Sequence, residues 1–278
     1  MQNLHLIKTE NEPLVSVIVT TKNEEKNIEN CILSIKNQTY PNIELIIVDN
    51  FSTDRTVEIA KKYTENIFSK GNERSVQRNH GAKVARGKYL IYLDADMILS
   101  PNVIQQCVTK SEFGLIDAIY IPERIIGQGL WIKIRDFERS FYTGTVVDAV
   151  RFVRKELFFQ VGGFDENLVG PEDWDFDRKV RSISRPAVIV APIYHNEGRF
   201  NLTRYLKKKV YYADGIRKYA QKWGDADLEI AKQIGFGYRF FGIFIENGKW
   251  KRLLRYPLFT FGLYFLRLGV AIAYLLNR

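Results

Sequence analysis

Two aspartates separated by one residue, Asp94 and Asp96, follow a run of apolar residues at positions 89–93. A carboxylate at the end of a buried strand is costly to desolvate unless a cation or hydrogen-bond donors compensate its charge. Mg²⁺ and Mn²⁺ bind through oxygen ligands and typically join one or two carboxylates to the phosphates of a substrate. The pair therefore suggests a metal site, although two such residues can also be structural and cap the following helix.

The segments before this pair alternate between strands and helices. Short apolar runs predict strands over 15–20, 43–49 and 88–94, and the segments that follow the first two, together with 74–86, have their apolar residues at helical spacing. Such alternation predicts an α/β fold with a mainly parallel sheet, whose ligands gather at the carboxyl ends of the strands. Asp49, Asp94 and Asp96 all lie at such ends.

The order of elements beyond Pro101 is less regular. We predict helices over 102–112 and 131–142, a strand near 116–121, and a strand over 145–154. A glycine pair at 162–163 predicts a turn, and Pro171 lies near the first turn of a helix over 171–183. An apolar strand over 185–195 ends at His195, a residue type that is more often structural than functional at such a position.

Three ordered segments, at 15–56, 77–97 and 161–180, resemble the hallmark segments of family 2 glycosyltransferases with the GT-A fold. They include VDNFSTD, QRN, DAD and GPEDW, and the resemblance extends over about 14–197. It implies a catalytic domain at 13–197 with a Rossmann-like, mainly parallel sheet and flanking helices. It also implies transfer of a sugar from a nucleotide-diphosphate donor, with inversion at the anomeric carbon.

The resemblance gives the aspartate pair a role. Asp94 and Asp96 would hold a Mn²⁺ or Mg²⁺ ion that bridges the pyrophosphate of the donor and neutralises the leaving group. Some family members place a metal-ligating histidine after the corresponding late strand, so His195 becomes a third candidate ligand beside its structural interpretation.

The resemblance also assigns residues to the nucleotide. Thr20, Asn23 and Glu24 would line the nucleoside pocket, Asp49 matches the first acid of the common V-D-D-G-S-T-D motif, and Arg78 would point towards the nucleotide rather than being a solvated helix charge. Asn50 and Phe51 depart from the motif. An amide both donates and accepts hydrogen bonds where a carboxylate only accepts them, so the identity of the donor's nucleobase is left open. A UDP-sugar is favoured and a GDP-sugar is the alternative.

Glu172 and Asp173 match the acid pair of the family, in which the second acid is usually the general base. An acceptor hydroxyl is a poor nucleophile until a carboxylate within hydrogen-bond reach takes its proton. The two acids would stabilise a helix N-terminus in any case. Trp174 beside them could pack against the sugar or acceptor, or fill the core.

The positive charge of the chain is concentrated at its end. Residues 199–278 hold 16 Lys and Arg against 5 Asp and Glu, a net +11, which leaves 25 against 27, or −2, for residues 1–198. The basic residues alternate with apolar and aromatic stretches, which favours an anionic membrane surface over nucleic acid as partner. Residues 202–223 predict an amphipathic helix that lies on a membrane or packs on its own domain.

Residues 256–276 are long and apolar enough to span a bilayer, but Arg267 sits near the middle. A helical arrangement puts Tyr264, Arg267 and Tyr274 on one face and Phe261, Phe265 and Ile272 opposite. We therefore prefer a helix immersed in the membrane interface, with a single C-terminal span as the alternative. Residues 198–278 are predicted to form a membrane-associating helical region.

The remaining features indicate the cell compartment. Cys31 and Cys107 show no metal-ligand spacing and read as reduced core residues, and the first fifteen residues lack a signal-peptide pattern. We therefore expect a peripheral or monotopic enzyme at the cytoplasmic face of the cell membrane.

Three functions remain to be compared. The first is glycosyl transfer to a hydroxyl of a lipid-linked saccharide acceptor, with a polyprenyl phosphate as the alternative acceptor. The second is an inactive carbohydrate-binding scaffold on the same fold. The third, a sugar nucleotidyltransferase, needs a glycine-rich loop after its first strand, and residues 20–27 contain no glycine.

Overall fold

A computed structural model of the chain describes residues 12–224 and 227–276. Most of the amino-terminal segment on which the signal-peptide expectation rests, residues 1–11, lies outside the described residues.

The first half of the chain alternates strands and helices as predicted. Its elements are β1 Val15–Thr21, α1 Ile28–Lys36, β2 Ile43–Asp49, α2 Thr56–Ala60, β3 Ile67–Ser69, α3 Arg74–Val84 and β4 Tyr89–Asp94. The next elements are β5 Met97–Leu99, α4 Val103–Gly114, β6 Ala118–Tyr120, β7 Glu123–Gln128, α5 Leu130–Arg139, β8 Phe152–Arg154, α6 Lys155–Gln160, α7 Glu172–Arg181, β9 Ala187–Val188 and β10 Ile193–Arg199.

These strands form two sheets. The larger has seven strands in the order β3-β2-β1-β4-β8-β6-β9 and is parallel except that β8 runs antiparallel to β4 and β6. The smaller has the order β5-β10-β7. The predicted mainly parallel α/β architecture is therefore confirmed, and the smaller sheet brings β10 beside the segment that follows β4.

The large sheet is buried on both faces. Along β1, Val15, Val17 and Val19 enter one hydrophobic cluster, whereas Ile18 enters the cluster on the opposite face. Side chains of a strand alternate between faces, so a sheet covered by helices on both sides requires apolar residues at successive positions. This explains the mainly apolar sequences of β1, β2 and β4.

Two strand predictions differ from the structure. Of the predicted strand 145–154, only Phe152–Arg154 is extended, because the preceding residues form turns closed by backbone hydrogen bonds such as Asp148 N–H to Thr145 O. The predicted strand 185–195 is two strands, β9 in the large sheet and β10 in the small one. Pro192, between them, cannot donate a ladder hydrogen bond, which suits the break.

The tail after β10 is helical. It comprises α8 Leu202–Tyr211, α9 Ala213–Trp223, α10 Leu228–Ile234, a π-helical turn Tyr238–Gly242, α11 Ile243–Ile245, a 3₁₀ turn Glu246–Gly248, α12 Trp250–Arg255 and α13 Pro257–Leu276. The predicted apolar helix over 256–276 is thus present as α13.

The tail packs against the part of the chain predicted to be catalytic. One buried cluster joins Ile134 and Phe137 of α5 to Ile243, Leu263 and Leu266 of the tail. Arg267 is buried there and donates from Nη2 to Glu138 Oε1 at 2.8 Å. Hydrophobic contacts therefore cross the position, after residue 197, where we expected a domain boundary.

The opposite side of α13 faces outwards. Its exposed residues recur at helical spacing and are Leu258, Phe261, Phe265, Leu268, Ile272 and Leu275. Among the residues that the structure describes, Pro257–Leu275 is the one helix long and apolar enough to cross a membrane, judged by length and composition. We call this row of six residues the apolar stripe.

Candidate active site

The carboxyl ends of three neighbouring strands bring together the predicted site residues of the first half of the chain. Parallel pairing sets Thr20 beside Asp94 and Thr21 beside Asp49. Thr20 Oγ1 donates to Asp94 Oδ1 at 3.1 Å, and Asp94 lies at the last position of β4. The strand register therefore fixes Asp94 at the centre of this edge.

Two arginines of α3 connect Asp94 with the acid pair of α7. Arg78 Nη2 lies 3.0 Å from Asp94 Oδ1 and its Nη1 lies 2.6 Å from Asp173 Oδ1. Arg74 Nη1 lies 3.4 Å from Asp94 Oδ2 and its Nη2 lies 3.0 Å from Glu172 Oε1. The arginines thus hold the predicted metal-binding strand end and the predicted base at a fixed separation.

Arg78 is 1% exposed and packs against the rings of Tyr92 and Phe164, with its guanidinium carbon 5.1 Å from each ring centroid. It is therefore a buried bridge and not the solvated helix charge that the sequence left open. Burial favours the neutral form of Asp94, but Arg78, Arg74 and Arg151 outweigh this effect and hold the pKa of Asp94 well below its usual range.

Glu172 starts α7 and is buried beside Asp173. Burial, together with the negative charge of Asp173, raises the pKa of Glu172 in spite of the ion pair with Arg74. Its second carboxyl oxygen accepts a hydrogen bond from the backbone N–H of Gly170. The two adjacent acids thus have different surroundings, and Asp173 is the more exposed of the two.

Asp96 faces β10 and not the arginines. His195 Nε2 lies 3.1 Å from Asp96 Oδ2, and His195 Nδ1 lies 3.1 Å from Glu123 Oε1. Burial alone would lower the pKa of His195, but its hydrogen bonds to the two carboxylates dominate and raise its pKa to about 10. Asp96 Oδ1 is buried and has no hydrogen-bond partner among the described residues.

The loops after β1 and β2 form the neighbouring part of the edge. Asn23 Oδ1 accepts from the backbone N–H of Thr53 at 2.8 Å, and Glu24 Oε2 accepts from Asn27 Nδ2 at 2.7 Å. Burial is the largest cause of the raised pKa of Glu24, and the charge of Asp96 adds to it. The contact between Asn23 and Thr53 joins the two loops.

Asp49 and Asn50 are both buried at the end of β2. Asp49 accepts hydrogen bonds from the backbone N–H and the hydroxyl of Ser52, and Asn50 Nδ2 donates to Asn72 O at 3.1 Å. Phe51, which follows, has a φ of 50° and is 65% exposed. An exposed aromatic ring in a left-handed backbone conformation is an unusual feature at this position.

Comparison with known proteins identifies the family. Residues 16–164 match the model of glycosyl transferase family 2. The chain belongs to glycosyl transferase family 2. A curated relative, the Bacillus subtilis glycosyltransferase EpsJ, is 34% identical over 249 residues, which cover 80% of this chain and 71% of EpsJ. The PGL/p-HBAD biosynthesis glycosyltransferase of Mycobacterium tuberculosis is 27% identical over 187 residues, covering 64% of this chain and 72% of the relative.

Solved structures share the GT-A fold of this family 2 glycosyltransferase. The S. aureus TarS fragment 1–349 in complex with UDP-GlcNAc gives a TM-score of 0.56 at 22% identity, covering 92% of this chain and 81% of that one. The mannosyltransferase PcManGT of Pyrobaculum calidifontis, in complex with GDP-Man and Mn²⁺, gives a TM-score of 0.62 at 19% identity. The match covers 95% of this chain and 76% of PcManGT. The predicted family and fold are confirmed.

The metal-ligating residues predicted for the family 2 enzyme are only partly brought together. Asp96 and His195 adjoin, and the partnerless Asp96 Oδ1 is an oxygen that a cation could bind. Asp94 is paired with arginines. No group of three or more His, Cys, Asp or Glu suited to a metal occurs within 12–224 and 227–276. Asp96 Oδ1 is therefore one oxygen that fits a divalent ion, and Asp94 and His195 as further ligands stay predictions.

Trp174 lies half-buried between two hydrophobic clusters, and its Nε1 donates to Val147 O at 3.1 Å. This placement agrees with its alternative interpretation as a core residue. A role against the sugar stays a prediction.

Three site residues were missed by the sequence analysis. Arg74 could have been found, since it lies one helical turn before Arg78 and therefore on the same face of α3. Glu123 and Arg139 could not, because their ion pair at 2.7 Å depends on how β7 and α5 pack beside β10.

Proposed function

We propose that this glycosyltransferase moves a sugar from a nucleotide-diphosphate sugar to a hydroxyl of a lipid-linked saccharide acceptor, with inversion, at the cytoplasmic membrane face. A UDP-sugar is the favoured donor and a GDP-sugar the alternative. The observation that carries the proposal is that Arg78 links Asp94 to Asp173 at the sheet edge, while Asp96, two residues after Asp94, pairs with His195. TarS in complex with UDP-GlcNAc and PcManGT in complex with GDP-Man support the donor class.

The acid and arginine arrangement assigns roles to this chain's residues. Asp96 and His195 would hold a Mn²⁺ or Mg²⁺ ion, which when bound supplies Lewis-acid neutralisation of the departing diphosphate. Asp173 would accept the proton of the acceptor hydroxyl at its carboxylate, and Arg78 orients that carboxylate through the 2.6 Å contact. Thr20, Asn23, Glu24, Asp49 and Asn50 would surround the nucleoside.

An acceptor phosphate in place of a hydroxyl is the second candidate. A phosphate is already ionised at neutral pH and needs no base, so Asp173 would then only position groups. A catalytically inactive scaffold is the third, and the retained carboxylates argue against it.

The membrane part of the proposal rests on the tail. The buried Arg267–Glu138 pair turns the polar side of α13 towards the protein and leaves the apolar stripe outside, which supports an interfacial helix over a spanning one. Catalytic residues at 13–197 would then work on an acceptor held in the adjacent leaflet.

A panel of nucleotide diphosphates tested with and without Mn²⁺ by thermal shift is the first experiment. We expect one nucleoside diphosphate to raise the melting temperature, with a larger shift in the presence of Mn²⁺. Hydrolysis of the matching nucleotide sugar, which requires no acceptor, would separate an enzyme from an inactive scaffold. Absence of both signals would contradict the proposal.

A further inference from the structure

Four cationic side chains meet where the tail packs on α5. They are Arg135, Lys209, Arg239 and Arg267, and we call them the cation cluster. The guanidinium carbon of Arg135 and the Nζ of Lys209 lie 5.0 and 5.5 Å from the same ring, that of Tyr205. Arg239 lies 5.6 Å from the ring of Tyr142, whose hydroxyl contacts Arg267 at 2.5 Å.

Two carboxylates face the cation cluster, and their oxygens are already used. Glu138 Oε2 accepts from Arg135 at 2.8 Å, and Glu138 Oε1 accepts from Arg267 at 2.8 Å. Glu197 accepts from two nitrogens of Arg135, at 2.9 and 3.4 Å. Arg135 and Arg267 are thus neutralised by the residues around them.

Arg239 and Lys209 have no such ion pairs among the described residues. Within the described part of the chain, neither side chain forms an ion pair or donates a hydrogen bond, and Arg239 Nη1 is buried. Burial, followed by repulsion from Arg135, lowers the pKa of Lys209 to about 7, although the negative charge of Glu138 opposes this shift. Two half-buried cations that contact aromatic rings but form no ion pair among the described residues indicate that an anion from outside the chain completes the cluster.

The position of the two cations relates them to the active site. Arg239 lies 5.9 Å from the ring of Trp174, which directly follows Asp173. Arg239 belongs to the π-helical turn Tyr238–Gly242, and such turns are frequent at functional sites. Glu197, on the other side, lies two residues beyond His195 on β10.

The same two residues are attached to the helix that bears the apolar stripe. The carbonyl oxygen of Lys209 accepts from the hydroxyl of Tyr274 at 2.9 Å, and that of Arg239 accepts from Arg267. Both residues thus border the side of α13 that faces the protein, opposite the apolar stripe, and Arg239 also lies near Trp174. A lipid-linked sugar that reaches Asp173 along this side of α13 would place its linking anion near these two cations.

We propose that Arg239 and Lys209 form a subsite for the phosphate or diphosphate group of a lipid. A guanidinium fork and an ammonium together match the several acceptor oxygens of a phosphate. This inference rests on the proposed function for the identity of the ligand as the acceptor. An anionic phospholipid headgroup has the same chemistry and is the second source.

The test measures binding of farnesyl diphosphate and of uncharged farnesol to the full-length protein by calorimetry. We expect Arg239→Gln and Lys209→Gln each to weaken farnesyl diphosphate binding by about 10- to 100-fold, the usual effect of losing one charge-assisted contact. Farnesol binding should not change. Arg239→Lys, which keeps the charge, should bind better than Arg239→Gln.

Matched controls are Lys232→Gln and Lys207→Gln, which remove an exposed charge from α10 and α8. They should leave farnesyl diphosphate binding intact, and the melting temperature of every variant checks its folding. Unchanged binding in both Arg239→Gln and Lys209→Gln, or equal weakening in the controls, would overturn the subsite.

Vesicles distinguish the two sources. If Arg239→Gln weakens farnesyl diphosphate binding but not binding to phosphatidylglycerol vesicles, the ligand is the acceptor phosphate; if it weakens both, the ligand includes phospholipid. Nucleotide-sugar hydrolysis by the wild-type protein tests the proposed function separately. Diphosphate binding without any hydrolysis or nucleotide binding would leave the subsite standing and contradict the proposed function.

Discussion

At the scale of single residues, Asp96 is the carboxylate that the structure leaves available, since Asp94 is held by two arginines and Thr20. We expect Asp96→Ala to abolish sugar transfer and to remove the Mn²⁺-dependent part of nucleotide binding, measured as the thermal shift with and without the ion. Asp214→Ala, which removes an exposed carboxylate of the tail, is the control. Full activity of Asp96→Ala, or undiminished wild-type activity in excess EDTA, would contradict the metal role.

Asp173 carries the prediction about proton transfer. Asp173→Asn keeps the shape of the side chain, and Arg78 keeps its contact with Asp94. We expect turnover on a hydroxyl acceptor to fall by about two to four orders of magnitude, with nucleotide affinity near normal. Turnover equal to that of the wild type would exclude Asp173 as the base and would be expected for a phosphate acceptor.

Phe51 departs from the family motif, and its position in the structure leads to a prediction about nucleotide binding. Its exposed ring follows Asn50 at the strand end, which suggests that it stacks on the nucleobase. Glycine adopts a φ of 50° without strain, so Phe51→Gly should leave the melting temperature near that of the wild type. Loss of stacking should weaken nucleotide binding by about 1–3 kcal/mol, measured by calorimetry. Unaltered affinity would mean that the ring does not contact the base.

At the scale of elements, the placement of Arg267 explains how a charged residue fits an apolar helix. Burial favours the neutral form of Glu138, but Arg267, Arg135 and the hydrogen bond from Tyr142 outweigh this and hold the pKa of Glu138 well below its usual range. The polar side of α13 is therefore a docking side for α5. Helical spacing predicted which residues share that side but could not identify Glu138 as the partner.

Breaking this pair should destabilise the whole chain. Removal of one partner leaves a buried charge uncompensated, so Arg267→Met should lower the free energy of unfolding by about 3–5 kcal/mol in a denaturant titration. Arg267→Met with Glu138→Gln should recover part of that loss. Lys251→Met, an exposed cation of α12, should change it by less than about 0.5 kcal/mol. If Arg267→Met and Lys251→Met lowered the free energy of unfolding equally, the packing of α13 on α5 through Arg267 would be contradicted.

The depressed pKa of Glu138 gives the same pair a pH dependence. A carboxyl whose pKa is lower in the folded state contributes stability that is present above its unfolded value, about 4.3, and is lost as the pH falls below it. Wild-type protein should therefore lose more unfolding free energy between pH 6 and pH 3 than Arg267→Met does. Equal losses would show that Glu138 does not depend on Arg267.

At the scale of the whole molecule, local patterns predicted the first half of the chain because each buried strand there lies between amphipathic helices. The acids at the strand ends follow from that arrangement. The bridges made by Arg74 and Arg78, the pairing of His195 with Glu123, and the packing of the tail on α5 depend on long-range contacts, which leave no periodic signal. The cluster of site residues at the carboxyl ends of the strands was thus predictable, but the packing of the tail against the catalytic part of the chain was not.

That connection changes how the membrane proposal has to be tested. Cutting the tail before Phe236 would expose Ile134 and Phe137 and remove the partner of Glu138, so a truncated chain would fail for reasons unrelated to membranes. Single substitutions on the apolar stripe avoid this problem. Phe261 is 74% exposed on α13, and Phe113, on α4, is 75% exposed, which makes the two a matched pair.

We expect Phe261→Ser to weaken binding to vesicles of phosphatidylglycerol and phosphatidylcholine by about 10- to 100-fold, because an inserted Phe side chain contributes about 1.5–3 kcal/mol. Phe113→Ser should have no effect. Rising salt should weaken wild-type binding without abolishing it, since salt screens the attraction of Lys251 and Arg255 to the lipid but not the insertion of the stripe. If the wild-type protein does not bind vesicles, or if Phe261→Ser and Phe113→Ser weaken binding equally, the apolar stripe is not the membrane contact and must be covered by protein.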